Sequence, residues 1–183
     1  MFFCCVAGTL VRGVLVKLLG KMVGITALGM AVALVLYPAL HETGHALAAL
    51  LTGATVKEVH VLPLPYVVCD LAAVTQEGRI VISLAGVLFP AALSLLSCRW
   101  FWGWYLSLLV KITALVALVL SVVSVVCFAG GVPLPSDDMT QLLQWWPEGI
   151  AVCFWGLSAV ATLLLIQIVR EQPFRRCACF FGV

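Results

Sequence analysis

Three residues set the chemical problem: His41, Glu42 and His45, inside the segment YPALHETGHALAALLTG (37–53). Their pattern is H-E-x-x-H. On a helix, positions i and i+4 share a face, so the two imidazoles can grip one ion. Imidazole nitrogen suits Zn2+ at about 2.0–2.1 Å. Glu42 adjoins a ligand and is placed to act as general base towards a water that the ion acidifies. A catalytic zinc takes three protein ligands and leaves a fourth position open. The third ligand must come from elsewhere in the chain. The candidates are His60, the only other histidine, with Glu58, Asp70 and Glu77 near it, and the pair Asp137 and Asp138 in GGVPLPSDDMTQLLQ (130–144).

The elements that must position these groups are membrane helices. The chain has 183 residues, of which 64% are hydrophobic and 10% charged, with a mean hydropathy of +1.19. Soluble domains carry roughly 25% charged residues. A net charge of +2 makes no case for a nucleic-acid partner. No repeat or low-complexity linker divides the chain, so residues 1–183 read as one membrane-embedded domain with a core of about 22–170. About 20 apolar residues are needed to span a bilayer. Four stretches qualify: Met22–Leu40, continuing as helix to Leu51; Ile80–Cys98; Leu106–Phe128; and Ile150–Val169. The expected fold is an all-α membrane protein of about four transmembrane helices. Residues 2–16, interrupted by Arg12 and glycines, read as an interfacial helix. Trp and Tyr in RWFWGWY (99–105) and QWWP (144–147) have the composition of interfacial aromatic belts.

Between the first two spans, GATVKEVHVLPLPYVVCDLAAV (53–74) is rich in Val and holds two prolines. It reads as short extended, β-like segments. An edge strand there could hold an extended peptide by main-chain hydrogen bonds. Gly53 is placed to end the first helix.

Four spans put the N-terminus, the 99–105 turn and the C-terminus on one side, and residues 54–79 and 129–149 on the other. Eight basic residues fall on the first side: Arg12, Lys17, Lys21, Arg99, Arg170, Arg175, Arg176 and, by snorkelling, Lys111. Only Lys57 and Arg79 fall on the second. The excess of Lys and Arg predicts a multi-pass protein with cytosolic termini. Topology favours Asp137 and Asp138 as source of the third ligand, because they share the side on which the His41–His45 helix emerges. Ser136 is a good N-cap, which would put both acids in the first turn of a helix.

HETGHALAALLTG, VISLAGVLFPAAL (81–93) and PLPSDDMTQLL (133–143) together resemble the site-2 protease family of intramembrane zinc metalloproteases, and especially its small, minimally decorated branch. The likeness covers roughly residues 35–160. It implies His41 and His45 as zinc ligands, Glu42 as the base, and an aspartate from a later helix as third ligand. The Ser-Asp pattern of the small branch falls on Ser136-Asp137 and makes Asp137 that ligand. The Leu-Asp-Gly pattern of the broader family would align Asp138 instead, without its leucine and glycine. The Gly-Pro…Asn element of the family is reduced to Gly86, with Pro90 displaced and no Asn. Better-known members place zinc nearer the cytosol, whereas the charge distribution here puts it towards the opposite face.

The expectation is therefore a zinc metalloprotease that cleaves a membrane protein or peptide near or within the bilayer. The alternative is a non-proteolytic membrane scaffold that keeps the fold and binds a partner. A metal transporter is disfavoured, because the second and fourth spans carry almost no polar groups. Of the eight cysteines, Cys69, Cys98, Cys127 and Cys153 read as small apolar residues. Cys4, Cys5, Cys177 and Cys179 flank the membrane, where lipidation is conceivable.

Overall fold

The computed structural model describes residues 19–60, 66–95, 101–135 and 137–181. The expected interfacial helix at 2–16 lies outside them. Among the described residues, four helices are long and apolar enough to cross a membrane, and a two-stranded antiparallel sheet sits between the first two. In chain order the elements are α1 (Leu19–Leu51), β1 (Thr55–His60), β2 (Tyr66–Asp70), α2 (Gln76–Ser94), α3 (Phe101–Ala129), α4 (Asp138–Trp145), α5 (Ile150–Arg170) and α6 (Pro173–Phe181).

The first span is not a uniform α-helix. Val32–Leu36 form a π-helical turn, in which the Tyr37 N–H bonds the Val32 carbonyl five residues back. Pro38 follows immediately. Proline has no N–H and its ring clashes with the carbonyl four residues earlier, so widening the preceding turn relieves that position. The α-helical pitch then carries Tyr37 through His45 to Leu51. Gly53, at φ +80°, stops the helix in the left-handed conformation that glycine adopts without strain.

The Val-rich segment forms a hairpin. Thr55 pairs with Asp70, Val56 with Cys69 and His60 with Tyr66, with a bulge between Val56 and Glu58. Lys57 Nζ bonds Asp70 Oδ2 at 2.8 Å across the strands. That pairing lowers the Asp70 carboxyl pKa. Thr75 then caps α2, its hydroxyl accepting the Gly78 N–H at 3.3 Å. The second span thus starts four residues before the expected Ile80, because the cap and the acidic first turn extend the helix beyond its apolar stretch.

The core lies between α2, α3, α4 and α5. Short as it is, α4 contributes Met139, Leu142 and Leu143, all 0% exposed, and wedges against α2 and α3. Elsewhere the outer faces are apolar. Val23, Leu34, Val126 and Val169 are each more than half exposed, as lipid-facing residues of a span should be.

Two expectations about polar and aromatic groups change. Trp104 and Tyr105 are buried and pack with Ile25, Leu28 and Ile168 rather than facing a lipid interface. Lys111 does not snorkel to water. It is 3% exposed and forms an ion pair with Glu171, just after α5. Trp104 donates its indole N–H to the second Glu171 oxygen at 2.9 Å. A charge buried in a span needs a counter-charge and further hydrogen bonds, and Glu171 supplies the first while sharing Trp104.

Candidate metal centre

The histidines sit on the face of α1 that packs against α2. Gly44 makes the close approach possible. A Cβ there would lie 2.9 Å from the Ala85 carbonyl carbon and 2.9 Å from Phe89 Cβ, so no larger residue fits without parting the helices. On the facing helix, a Cβ on Gly86 would lie 2.6 Å from His45 Cε1 and 2.8 Å from His41 Cε1. Each helix therefore presents a glycine where the other presses closest, and Gly86 leaves the volume in which the two rings sit.

His45 Nδ1 is 2.7 Å from the Ile82 carbonyl oxygen. A carbonyl only accepts, so Nδ1 carries the proton and Nε2 of the neutral ring presents a lone pair. That lone pair points into a cluster. His45 Nε2 lies 3.1 Å from His41 Nε2 and 3.2 Å from Asp138 Oδ2, and His41 Nε2 lies 2.9 Å from the same oxygen. Ligand atoms of His41, Glu42 and His45 also fall within 4.8 Å of one another.

The two members of the Asp137–Asp138 pair do different things. Asp138 reaches the histidines from the first turn of α4. Asp137 is the N-cap of α4: its carboxylate accepts the Thr140 N–H at 3.0 Å and the hydroxyl of buried Ser124. The capping position expected at Ser136, which lies outside the described residues, is thus taken by Asp137. Its carboxylate is engaged by the Thr140 N–H and the Ser124 hydroxyl, while Asp138, one residue on, faces the rings. The structure brings Asp138 to the histidines, and not Asp137, the residue that the resemblance implied. Burial pushes the Asp138 carboxyl pKa up, but hydrogen bonds and charge from His41 and His45 outweigh it and hold the group below the ordinary carboxylate range.

His60 is not brought to the cluster. Its ring stacks on Tyr66 at 4.2 Å between centroids, and its Nε2 lies 3.3 Å from Glu58 Oε2. Asp70 is held by Lys57, and Glu77 is in the first turn of α2. Sequence reasoning retained Gly86 only as a remnant of a family element. Its signal, a glycine in an apolar helix facing a histidine pair, needs the helix pairing to be read.

Two cavities meet at this point. One, of about 420 Å3, is lined by Tyr37, Pro38, His41, Glu42, Val87, Ala117, Leu120, Ser121, Asp137 and Asp138. The other, of about 270 Å3, lies between α1 and the hairpin and is lined by Ala39, Glu42, Thr43, Ala46, Leu47, Val59, His60 and Val67. Glu42 lines both.

Two imidazoles and a carboxylate are the donor set of a catalytic zinc site. A tetrahedral ion with bonds of about 2.0–2.1 Å holds its ligand atoms about 3.3 Å apart. The observed separations need to open by only a few tenths of an ångström, so the residues fit the ion. Comparison of the chain with known family models, curated proteins and solved structures finds no match.

Proposed function

We propose that this chain is a membrane-embedded zinc endopeptidase that cleaves a membrane-associated protein or peptide. One observation supports the reading: three atoms that can each ligate a metal, His41 Nε2, His45 Nε2 and Asp138 Oδ2, converge within 3.2 Å of one another. With Nδ1 of His45 donating to the Ile82 carbonyl, Nε2 of the neutral ring has a lone pair to offer an ion. His41, His45 and Asp138 would hold the ion. When bound, zinc supplies the Lewis acidity that makes a water nucleophilic at neutral pH.

The rest of the chemistry falls to this chain's own groups. Glu42 is half-buried at the junction of the two cavities. Its carboxylate takes the proton of the attacking water and returns it to the amide nitrogen of the leaving segment. The larger cavity admits the water and the reacting bond. The smaller one, walled by the hairpin strands and Leu47, receives the flanking part of an extended substrate. Apolar helices around the site exclude bulk water and strengthen each electrostatic contact.

The test joins metal content to proteomics. Wild-type protein should carry about one zinc, and His41→Ala and His45→Ala should carry none. Glu42→Gln should keep zinc and lose cleavage, seen as stabilised membrane proteins in cells expressing that variant. Full zinc in both histidine variants refutes the metal site. Zinc retained in Glu42→Gln with an unchanged membrane proteome favours the scaffold reading. Loss of zinc in Glu42→Gln makes Glu42 a ligand instead.

A further inference from the structure

At the opposite end of the bundle the chain makes a second site, independent of the metal cluster. After α5 leaves the span at Arg170, Gln172 turns the chain in a left-handed conformation, φ +48°, and α6 begins at Pro173. The turn encloses a cleft of about 520 Å3 lined by Ile168, Val169, Gln172, Pro173, Phe174 and Arg175. Its composition is divided. Ile168, Val169 and Pro173 form an apolar wall continuous with the span. Phe174 is 91% exposed, more than any other large apolar side chain among the described residues.

The charge around it is one-sided. Arg170, Arg175 and Arg176 are all exposed. The one acid nearby, Glu171, is turned inward and bound by Lys111 and Trp104, so it does not neutralise them. Arg176 is anchored over the Trp104 ring at 5.1 Å. Among the described residues, Arg175 has a 3.3 Å contact to the Gln172 side chain and lines the cleft. A guanidinium has five donors, so Arg175 can hold a phosphate bidentately while keeping that contact. The turn closes α5, the apolar part of the last span, and a cleft at the end of a span would lie where lipid headgroups meet acyl chains.

We propose that the α5–α6 turn is a binding site for an anionic phospholipid. Arg175, supported by the field of Arg170, holds the headgroup phosphate. Phe174 and the Ile168–Val169 wall hold the upper part of one acyl chain. The exposed phenylalanine is thereby covered by lipid, and the inward Glu171 leaves the site's positive charge undiluted.

The experiment uses the full chain in detergent micelles, titrated with phosphatidylglycerol or with phosphatidylcholine of the same chains. Retained lipid is counted by native mass spectrometry. Wild type should retain phosphatidylglycerol at least tenfold more tightly than phosphatidylcholine. A basic residue near an anionic lipid contributes a factor of about five, so Arg175→Ala should lose about that much and Arg170→Ala/Arg175→Ala more. Arg175→Lys, which keeps the charge, should recover much of the loss and shows that the alanine effect is not misfolding. Phe174→Ala should weaken both lipids alike. Inorganic phosphate in millimolar excess should not displace the lipid. Equal retention of the two lipids by wild type, unchanged retention in Arg170→Ala/Arg175→Ala, or displacement by inorganic phosphate would each overturn the proposal.

Discussion

Asp137 and Asp138 are adjacent, chemically identical and oppositely employed. The first completes the hydrogen bonding of a helix start and the second faces two imidazoles. Their substitutions should therefore separate. Asp138→Ala should lower zinc affinity on the order of 100-fold or more, since even outer-sphere changes at such sites cost 10–100-fold. Asp137→Ala should leave zinc bound and cost about 0.5–2 kcal/mol of stability, the usual loss for a capping carboxylate. Zinc titration and thermal unfolding in detergent measure the two effects. Zinc lost from Asp137→Ala but not from Asp138→Ala would restore the Ser-Asp assignment. Gly86→Ala is the third residue-scale test. Its new methyl would meet both histidine rings, so zinc loading should fall although no ligand is touched. Normal loading would mean that the rings can rearrange.

At the scale of elements, the bundle is held at its two ends by different devices. At the histidine end, α1 and α2 interlock through Gly44 and Gly86. At the other, Lys111 of α3 is tied to Glu171 beyond α5, with Trp104 sharing the carboxylate. Removing one partner of a buried pair leaves the other charge stranded, typically at a cost of 3–5 kcal/mol, whereas replacing both is close to neutral. Glu171 is partly exposed, so the cost of Lys111→Met should fall near the lower end. Lys111→Met/Glu171→Gln should be more stable than Lys111→Met alone, because Gln keeps an acceptor for the Trp104 indole. Unfolding of the three variants side by side decides this. A double variant weaker than the single would show that Glu171 stabilises the fold without Lys111.

For the molecule from residue 19 onward, four spans would put the start of α1 and residues 172–181 on one side and the hairpin on the other. With Lys111 paired inside, the distribution of seven basic residues against two still predicts that residues 172–181 face the cytosol and the hairpin faces away. Single cysteines introduced at Thr55 in the hairpin and at Gln172, each in a background lacking native cysteines, should label from opposite sides of sealed vesicles. Labelling of the Thr55 site from the cytosolic side would invert the orientation. It would also bring the proposed zinc to the face on which better-known members of the resembling family carry it. The α5–α6 cleft and the histidine cluster lie at opposite ends of the bundle, so this measurement also assigns a membrane face to each.

What the sequence by itself determined is what local periodicity and composition encode. The H-E-x-x-H spacing places His41 and His45 on one helical face whatever surrounds them. Runs of apolar residues give four spans, Gly53 gives the end of the first helix, and the Val-rich segment gives extended structure. What only the tertiary structure decided depends on phase and on distant partners. Whether Asp137 or Asp138 faces the histidines turns on where α4 starts. Asp137 caps that start through the Thr140 N–H and is also bound by Ser124, thirteen residues away on α3. Glycine 86 is informative only once α2 is known to press its face against the two rings. Lys111 and Glu171 are sixty residues apart, and nothing local tells a snorkelling lysine from one that is paired inside. In each case the deciding contact joins two elements, and a contact between elements is written in packing rather than in any single stretch of chain.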